Sequence, residues 1–213
     1  MVRTDIKEFI KSIPSNVTIV AASKYVDAND IDVLLGVGIN NIGENRVESF
    51  LHKYEALKGK NIIWHFIGHL QRNKAIKVIN KIDYLESLDS LKLAELINTH
   101  RLSPLKCFIE VSINLEENKN GVSYFEVESF LKEVKKYQNI EIVGFMMMAV
   151  ANSSELSLCE QFKKLRLLRD EMEEKLNMKI PYLSMGMSED YQEAIKEGAT
   201  HVRLGRILFN LLD

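Results

Sequence analysis

Along the chain, apolar runs rich in β-branched residues alternate with stretches whose apolar positions recur at helical spacing. The runs are Val17–Ser23, Asn41–Glu44, Ile62–Ile67, Ile82–Ser87, Leu105–Ile113, Ile140–Met147, Tyr182–Met185 and Thr200–Leu204. Several are apolar almost throughout, the pattern of strands buried on both faces of a parallel sheet. Between them the spacing predicts helices. In Glu155–Leu176, the residues Leu158, Phe162, Leu165, Leu168, Met172 and Leu176 follow one helical stripe, with Glu160 placed to pair with Lys164. Phe130, Leu131, Val134 and Tyr137 form a second stripe, and Leu91, Ala94 and Ile97 a third behind Ser90. A further helix over about residues 3–12 precedes the first strand. Eight β→α units can close into a barrel in which every strand is covered by its own helix. The expected fold class is α/β: a single (β/α)8 TIM barrel with an extra N-terminal helix, with a doubly wound open sheet as the competitor.

Composition narrows the picture. Three prolines and the lack of a Gly/Ser-rich or Pro-rich stretch leave no linker, so one domain spanning residues 1–213 is expected. A chain of 213 residues buries about 70–75% of its unfolded surface and needs no staples. The two cysteines, Cys107 and Cys159, are too few for a disulfide framework. A net charge of −2 lacks the footprint of a nucleic-acid binder. Apolar runs such as Gly144–Ala151 fall far short of a membrane span. The first residues carry acids and no apolar core of a signal peptide, so a cytoplasmic protein is expected.

In a (β/α)8 barrel, function gathers where strands end and helices begin. The first run ends in Ser23-Lys24, the second in Gly43-Glu44-Asn45-Arg46, and the third enters His65-Phe66-Ile67-Gly68-His69. The last two end in Ser184-Met185-Gly186-Met187-Ser188 and Arg203-Leu204-Gly205-Arg206. Lys24 follows a near-apolar run, which points its amine toward a partly desolvated mouth; desolvation favours the free amine that attacks carbonyls. Its bland counterpart is a solvated loop lysine. Loops after the last two strands commonly hold phosphate, and Gly186 and Gly205 leave room for an anion to approach the backbone. Ser188 precedes Glu189 and Asp190, so it is equally a plain helix N-cap. Arg203, on an apolar strand, needs an acceptor, either a carboxylate or a ligand atom.

Other signals carry less. His65 and His69 lack a carboxylate to complete a metal set in a strand-to-loop context, so no metal is expected. Gly36-Val37-Gly38 ends a helix and precedes a strand, the reverse of a dinucleotide loop. The Met146–Met148 run reads as barrel filling, and Arg72–Lys77 as a solvated helix face.

These blocks resemble the pyridoxal phosphate homeostasis protein family. The residues that carry the resemblance are Ala21-Ala22-Ser23-Lys24, Gly43–Val47, the ten-residue block His65–Lys74, Ser87–Ser90, Ser184–Ser188 and Gly198–Gly205, in order over nearly the whole chain. Members of that family are similar to the barrel domain of alanine racemase and bind pyridoxal 5′-phosphate (PLP). The resemblance implies a Schiff base between PLP and Lys24, with Asn45 beside the ring. It also implies that Ser188 and the backbone at Gly205 and Arg206 hold the phosphate, and that Arg203 faces the pyridine nitrogen. A cation there disfavours ring protonation and makes PLP a weaker electron sink. Arg206 stands where the family has a threonine; its amide survives, the hydroxyl is lost and a charge is added. Tyr25-Val26-Asp27 lacks the family's second lysine or proline, and Lys119 and Gly121 align within a looser stretch, Asn114–Gly121.

The function implied is intracellular PLP (vitamin B6) homeostasis, with apo forms of PLP-dependent enzymes as partners. The alternatives are a PLP-dependent enzyme such as an amino-acid racemase, and a Schiff-base aldolase using Lys24. Racemisation needs a base on each face of the α-carbon, and the chain reaches only Asp213 after Gly205. A carrier without the racemase's second domain, and a monomer, is therefore expected.

Overall fold

The structure, a computed structural model, describes residues 4–113 and 120–212. The loosely matched Lys119 lies outside them. Helix α1 (Thr4–Ser12) leads into β1 (Thr18–Ala22), α2 (Ala28–Gly36), β2 (Asn41–Glu44), α3 (Val47–Ala56), β3 (Ile63–Phe66), the single turn α4 (Arg72–Ala75) and β4 (Tyr84–Leu88). Then follow α5 (Leu91–His100), β5 (Leu105–Ser112), the short β6 (Val122–Ser123), α6 (Val127–Val134) and β7 (Ile140–Met146). The chain finishes with α7 (Glu155–Leu176), β8 (Tyr182–Met187), α8 (Tyr191–Lys196), β9 (His201–Leu204) and α9 (Arg206–Phe209).

Every strand pairing is parallel, in the order β4-β3-β2-β1-β9-β8-β7-β5, and β4 pairs with β5 to close the ring. The closed ring decides between the two expected folds: this is a (β/α)8 barrel, with α1 as the extra helix. All eight expected strands are present. The addition is β6, two residues that pair with the end of β5.

The helices begin and end where local chemistry allows. Asp27 and Asp30 form a reciprocal capping box at the start of α2. Ser154 caps α7 by accepting from the Ser157 N–H at 3.3 Å, and Asn177 ends that helix in a left-handed turn (φ 46°). The α7 stripe buries Phe162, Leu165, Leu168 and Met172, as its spacing predicts.

Period-two alternation gives each strand an outward and an inward face. Outward residues such as Ile42, Leu85, Ile109, Leu183 and Val202 pack into the main core with the helices. Inward residues fill the barrel in tiers. At its N-terminal end the rings of His65 and Tyr84 stack with centroids 4.5 Å apart, and Phe108 and Tyr182 pack edge-on to His201 at 5.3 Å and 4.9 Å. Gly144 is required there, because a Cβ would lie 2.4 Å from the Tyr182 carbonyl and 2.6 Å from the Phe108 ring. Midway up stand Glu86, Ser184 and Arg203, all buried. Above them the barrel opens.

Candidate functional site

The end of β1 is held from below. The Lys53 ammonium, buried on α3, donates to Glu44 Oε1 at 2.7 Å and to the Ser23 carbonyl at 2.5 Å. The Ser23 hydroxyl donates to the same Glu44 oxygen at 3.1 Å, and the other Glu44 oxygen accepts from the Asn45 N–H at 3.2 Å. This buried pair ties the ends of β1 and β2 to α3 and fixes the residue immediately before Lys24. The chain then turns, with the Val26 N–H donating to the Ser23 carbonyl at 3.2 Å.

Lys24 continues the alternation of Val20 and Ala22, two residues beyond Ala22, the last paired residue of the strand. Its side chain is exposed, and its Nζ lies 4.8 Å from the centre of the Tyr25 ring. The partial desolvation expected from an apolar strand end is therefore not found. The run before it is buried, but the turn at Ser23–Tyr25 lifts Lys24 to the rim.

Lys24 lines a cavity of about 570 Å3 at the C-terminal end of the barrel. The other walls come from the β7–α7 connection (residues 149–153), from Met187 to Asp190 after β8, and from Arg203, Gly205 and Arg206 at the end of β9. The β7–α7 connection passes through Asn152 in a left-handed conformation (φ 60°), which asparagine tolerates better than most residues.

The expected anion end has a definite geometry. Helix α8 starts at Tyr191 with Asp190 as its N-cap residue, so Ser188 is not the cap. Its hydroxyl instead accepts from the Gly205 N–H at 3.3 Å, joining the loops after β8 and β9. Asp190 accepts from the Met187 N–H at 2.5 Å and closes the turn. Gly186 does not face an anion: it has φ +92°, and a Cβ would lie 2.6 Å from that of Ala194, so the glycine serves the packing of α8. The Arg206 guanidinium pairs with Glu189 at 2.5 Å, both being exposed.

Arg203 forms part of the cavity floor. Its Nη1 donates to the Ser184 hydroxyl at 2.7 Å and carbonyl at 2.9 Å, and its Nη2 to the Met147 carbonyl at 2.7 Å. The Ser184 hydroxyl in turn donates to Glu86 Oε2 at 2.6 Å, and Glu86 stands 3.9 Å from Arg203. Glu86 Oε1 lies 2.7 Å from Nδ1 of His65, whose Nε2 is 3.0 Å from Asn41 Oδ1. A polar chain thus crosses the barrel from β2 to β9. Burial alone would push the Glu86 carboxyl up, but the hydrogen bond and charge of His65, with Arg203 beyond, bring it down to about 2. Burial lowers the Arg203 pKa, opposed by Glu86, Glu110 and Asp190.

Of the six residues singled out by sequence, Lys24, Ser188, Arg203, Gly205 and Arg206 line this one cavity. Asn45 is not among its lining residues; it sits at the end of β2 against Gly68, and its Oδ1 is buried without a hydrogen-bond partner among the described residues. His65 and His69 go to separate carboxylates, His69 lying 2.8 Å from Asp89. Within the methionine run, Met146 and Met147 are buried but Met148 is 55% exposed, so only the first two are filling. Sequence reasoning gave no individual role to Glu86, Ser184 or Lys53. The signal for Glu86 was present, a lone acid inside a strand whose neighbours Leu85 and Leu88 are fully buried.

Residues 6–213 match the family described as alanine racemase, N-terminal domain. The pyridoxal phosphate homeostasis protein of Aquifex aeolicus is 38% identical over 90% of this chain and 85% of its own. That of Synechocystis sp. is 36% identical over 95% and 94%. Among solved structures, PipY of Synechococcus elongatus, determined with PLP bound, is 29% identical and superposes with a TM-score of 0.88 over 96% of this chain and 99% of its own. Alanine racemase of Corynebacterium glutamicum shares the fold alone, with 14% identity and a TM-score of 0.78 over 96% of this chain and 59% of its own. By sequence and by fold, this chain belongs to the pyridoxal phosphate homeostasis protein family.

Proposed function

We propose that this chain binds PLP in the cavity at the C-terminal end of the barrel and serves PLP homeostasis by holding the cofactor reversibly. The single observation that carries this reading is that Lys24 shares one cavity with Ser188, Gly205, Arg206 and Arg203. A volume of about 570 Å3 suits a ligand of small-molecule size. Its donor set fits an anionic aldehyde: a primary amine on one side, and on another a hydroxyl, a backbone N–H and a guanidinium. PLP supplies an aldehyde that condenses reversibly with an amine, and Lys24 is the residue we assign to that Schiff base.

The remaining roles follow from the chain's own groups. Lys53 and Glu44 hold the turn that presents Lys24. Ser188, with the backbone at Gly205 and Arg206, takes the phosphate, for which Arg206 exchanges part of its pairing with Glu189. Arg203, anchored by Ser184, Met147 and Glu86, would face the pyridine nitrogen and disfavour a proton there. Asn45, which does not line the cavity, is given no contact with the cofactor in this reading. Reversible attachment lets the chain release PLP to apo-enzymes in the cytoplasm.

Titration of the purified protein with PLP tests this directly. The account expects saturable binding of one equivalent with a visible absorbance, weakened by competing inorganic phosphate. Absence of saturable binding, or indifference to phosphate, overturns it.

A further inference from the structure

A second cavity of about 340 Å3 adjoins the first, sharing residues 149–151 and Met187 as a common wall. Its other sides are largely apolar, with Ile113 and Met148 among them, and Glu110 is its one charged residue among those described. Glu110 stands two positions beyond Phe108 on β5 and is 5% exposed. Among the described residues no hydrogen bond or ion pair reaches its carboxylate. The charged groups around it come from three elements: Asp89 after β4, His69 after β3, and Arg203 on β9. His69 and Asp89 pair with each other, and Arg203 directs its donors to Ser184 and Met147. Burial, then Asp89, therefore raise the Glu110 carboxyl to about 7, against the smaller pulls of Arg203 and His69. A buried carboxylate without a counter-ion is costly, and a cation delivered to it forms a charge-assisted hydrogen bond.

We propose that this hollow is a binding subsite for a primary aliphatic ammonium, with Glu110 as its counter-ion. The apolar walls accept the hydrocarbon. The subsite's placement beside bound PLP rests on the reading above; the binding of the amine itself does not. Because an ammonium binds the ionised form of Glu110, affinity rises with pH through about 7, and binding releases a proton.

The test is titration of n-butylammonium chloride into the full chain, with and without PLP, following the Glu110 carboxyl by carbon-13 NMR. The expected result is a saturable shift, several-fold tighter at pH 8 than at pH 6, with the carboxyl midpoint lowered by about one unit at saturation, the equivalent of a tenfold preference for the ionised form. The near-isosteric Glu110→Gln variant should bind at least about tenfold more weakly, without that pH dependence. n-Butanol should bind both proteins equally and weakly. Equal amine binding by wild type and variant, butanol binding as tight as butylammonium, or no saturable shift in the wild type overturns the proposal. The visible absorbance of PLP in the same samples separates the two readings. Amine binding without PLP binding overturns the cofactor assignment alone, and PLP binding without amine binding overturns the subsite alone.

Discussion

The two ends of the barrel interior are built from different residue types to opposite effect. At the N-terminal end Phe108, Tyr84, Tyr182 and His201 interlock as rings, Gly144 is the only residue small enough for its place, and little space remains. At the C-terminal end Lys24 after β1, Glu110 on β5 and Ser188 after β8 stand around open volume. The buried chain of His65, Glu86, Ser184 and Arg203 lies between them, and there every charge has a partner. Above it Glu110 has none among the described residues. Polar groups that meet one another stabilise a fold, and those left waiting are free to meet a ligand.

Substitutions should separate the two ends. The largest effect is expected for Phe108→Ala, which opens a void among the rings and should cost about 3–5 kcal/mol in denaturant unfolding, while folded protein still binds PLP. A comparable loss of PLP affinity in the folded variant would mean that the two ends are not separate.

Next is the acid limb of the stability curve. Glu86 has a folded pKa near 2, below its ordinary 4.5, so its contribution is fully present above about 4.5 and is lost as pH falls toward 2. That contribution is about 3 kcal/mol, and it should be missing from the acid limb of Glu86→Gln. His201 acts in the same direction over a higher window. Burial holds it at about 4 against an ordinary 6.5, so protonation of the unfolded chain erodes stability as pH falls from 6.5 to 4. Identical acid limbs for wild type and Glu86→Gln would remove the buried chain from the account.

At the mouth the effects should be on binding. Ser188→Ala should weaken PLP about five- to tenfold, the loss of one hydrogen bond of about 1 kcal/mol, with a smaller change in unfolding. The smallest effect is expected for Glu189→Gln, whose exposed pair with Arg206 is worth under about 0.5 kcal/mol of stability. A larger loss there would show that the rim is structural after all.

Much of this fold could be read along the chain. The eight runs and the α7 stripe carry strong periodicity, and burial of both strand faces is written in continuous apolar stretches such as 107–109. At the start of α8, Ser188 followed by two acids reads equally as a cap and as an anion contact. In the fold the Gly205 amide, distant in sequence, takes that hydroxyl, and helix initiation passes to Asp190. Lys24 could be located but not its exposure, which depends on where β1 stops pairing. Glu86 and Ser184 are 98 residues apart, and nothing local announces that one holds the other. Glu110 reads simply as a polar residue in an apolar strand, and only the closed ring shows that it is left without a partner among the described residues.

The most direct test of the central claim is borohydride reduction of the PLP-loaded protein, followed by intact mass measurement and peptide mapping. The account predicts a single pyridoxyl-phosphate adduct on Lys24, absent from Lys24→Ala. An adduct on another lysine, or none on protein that demonstrably holds PLP, would contradict it.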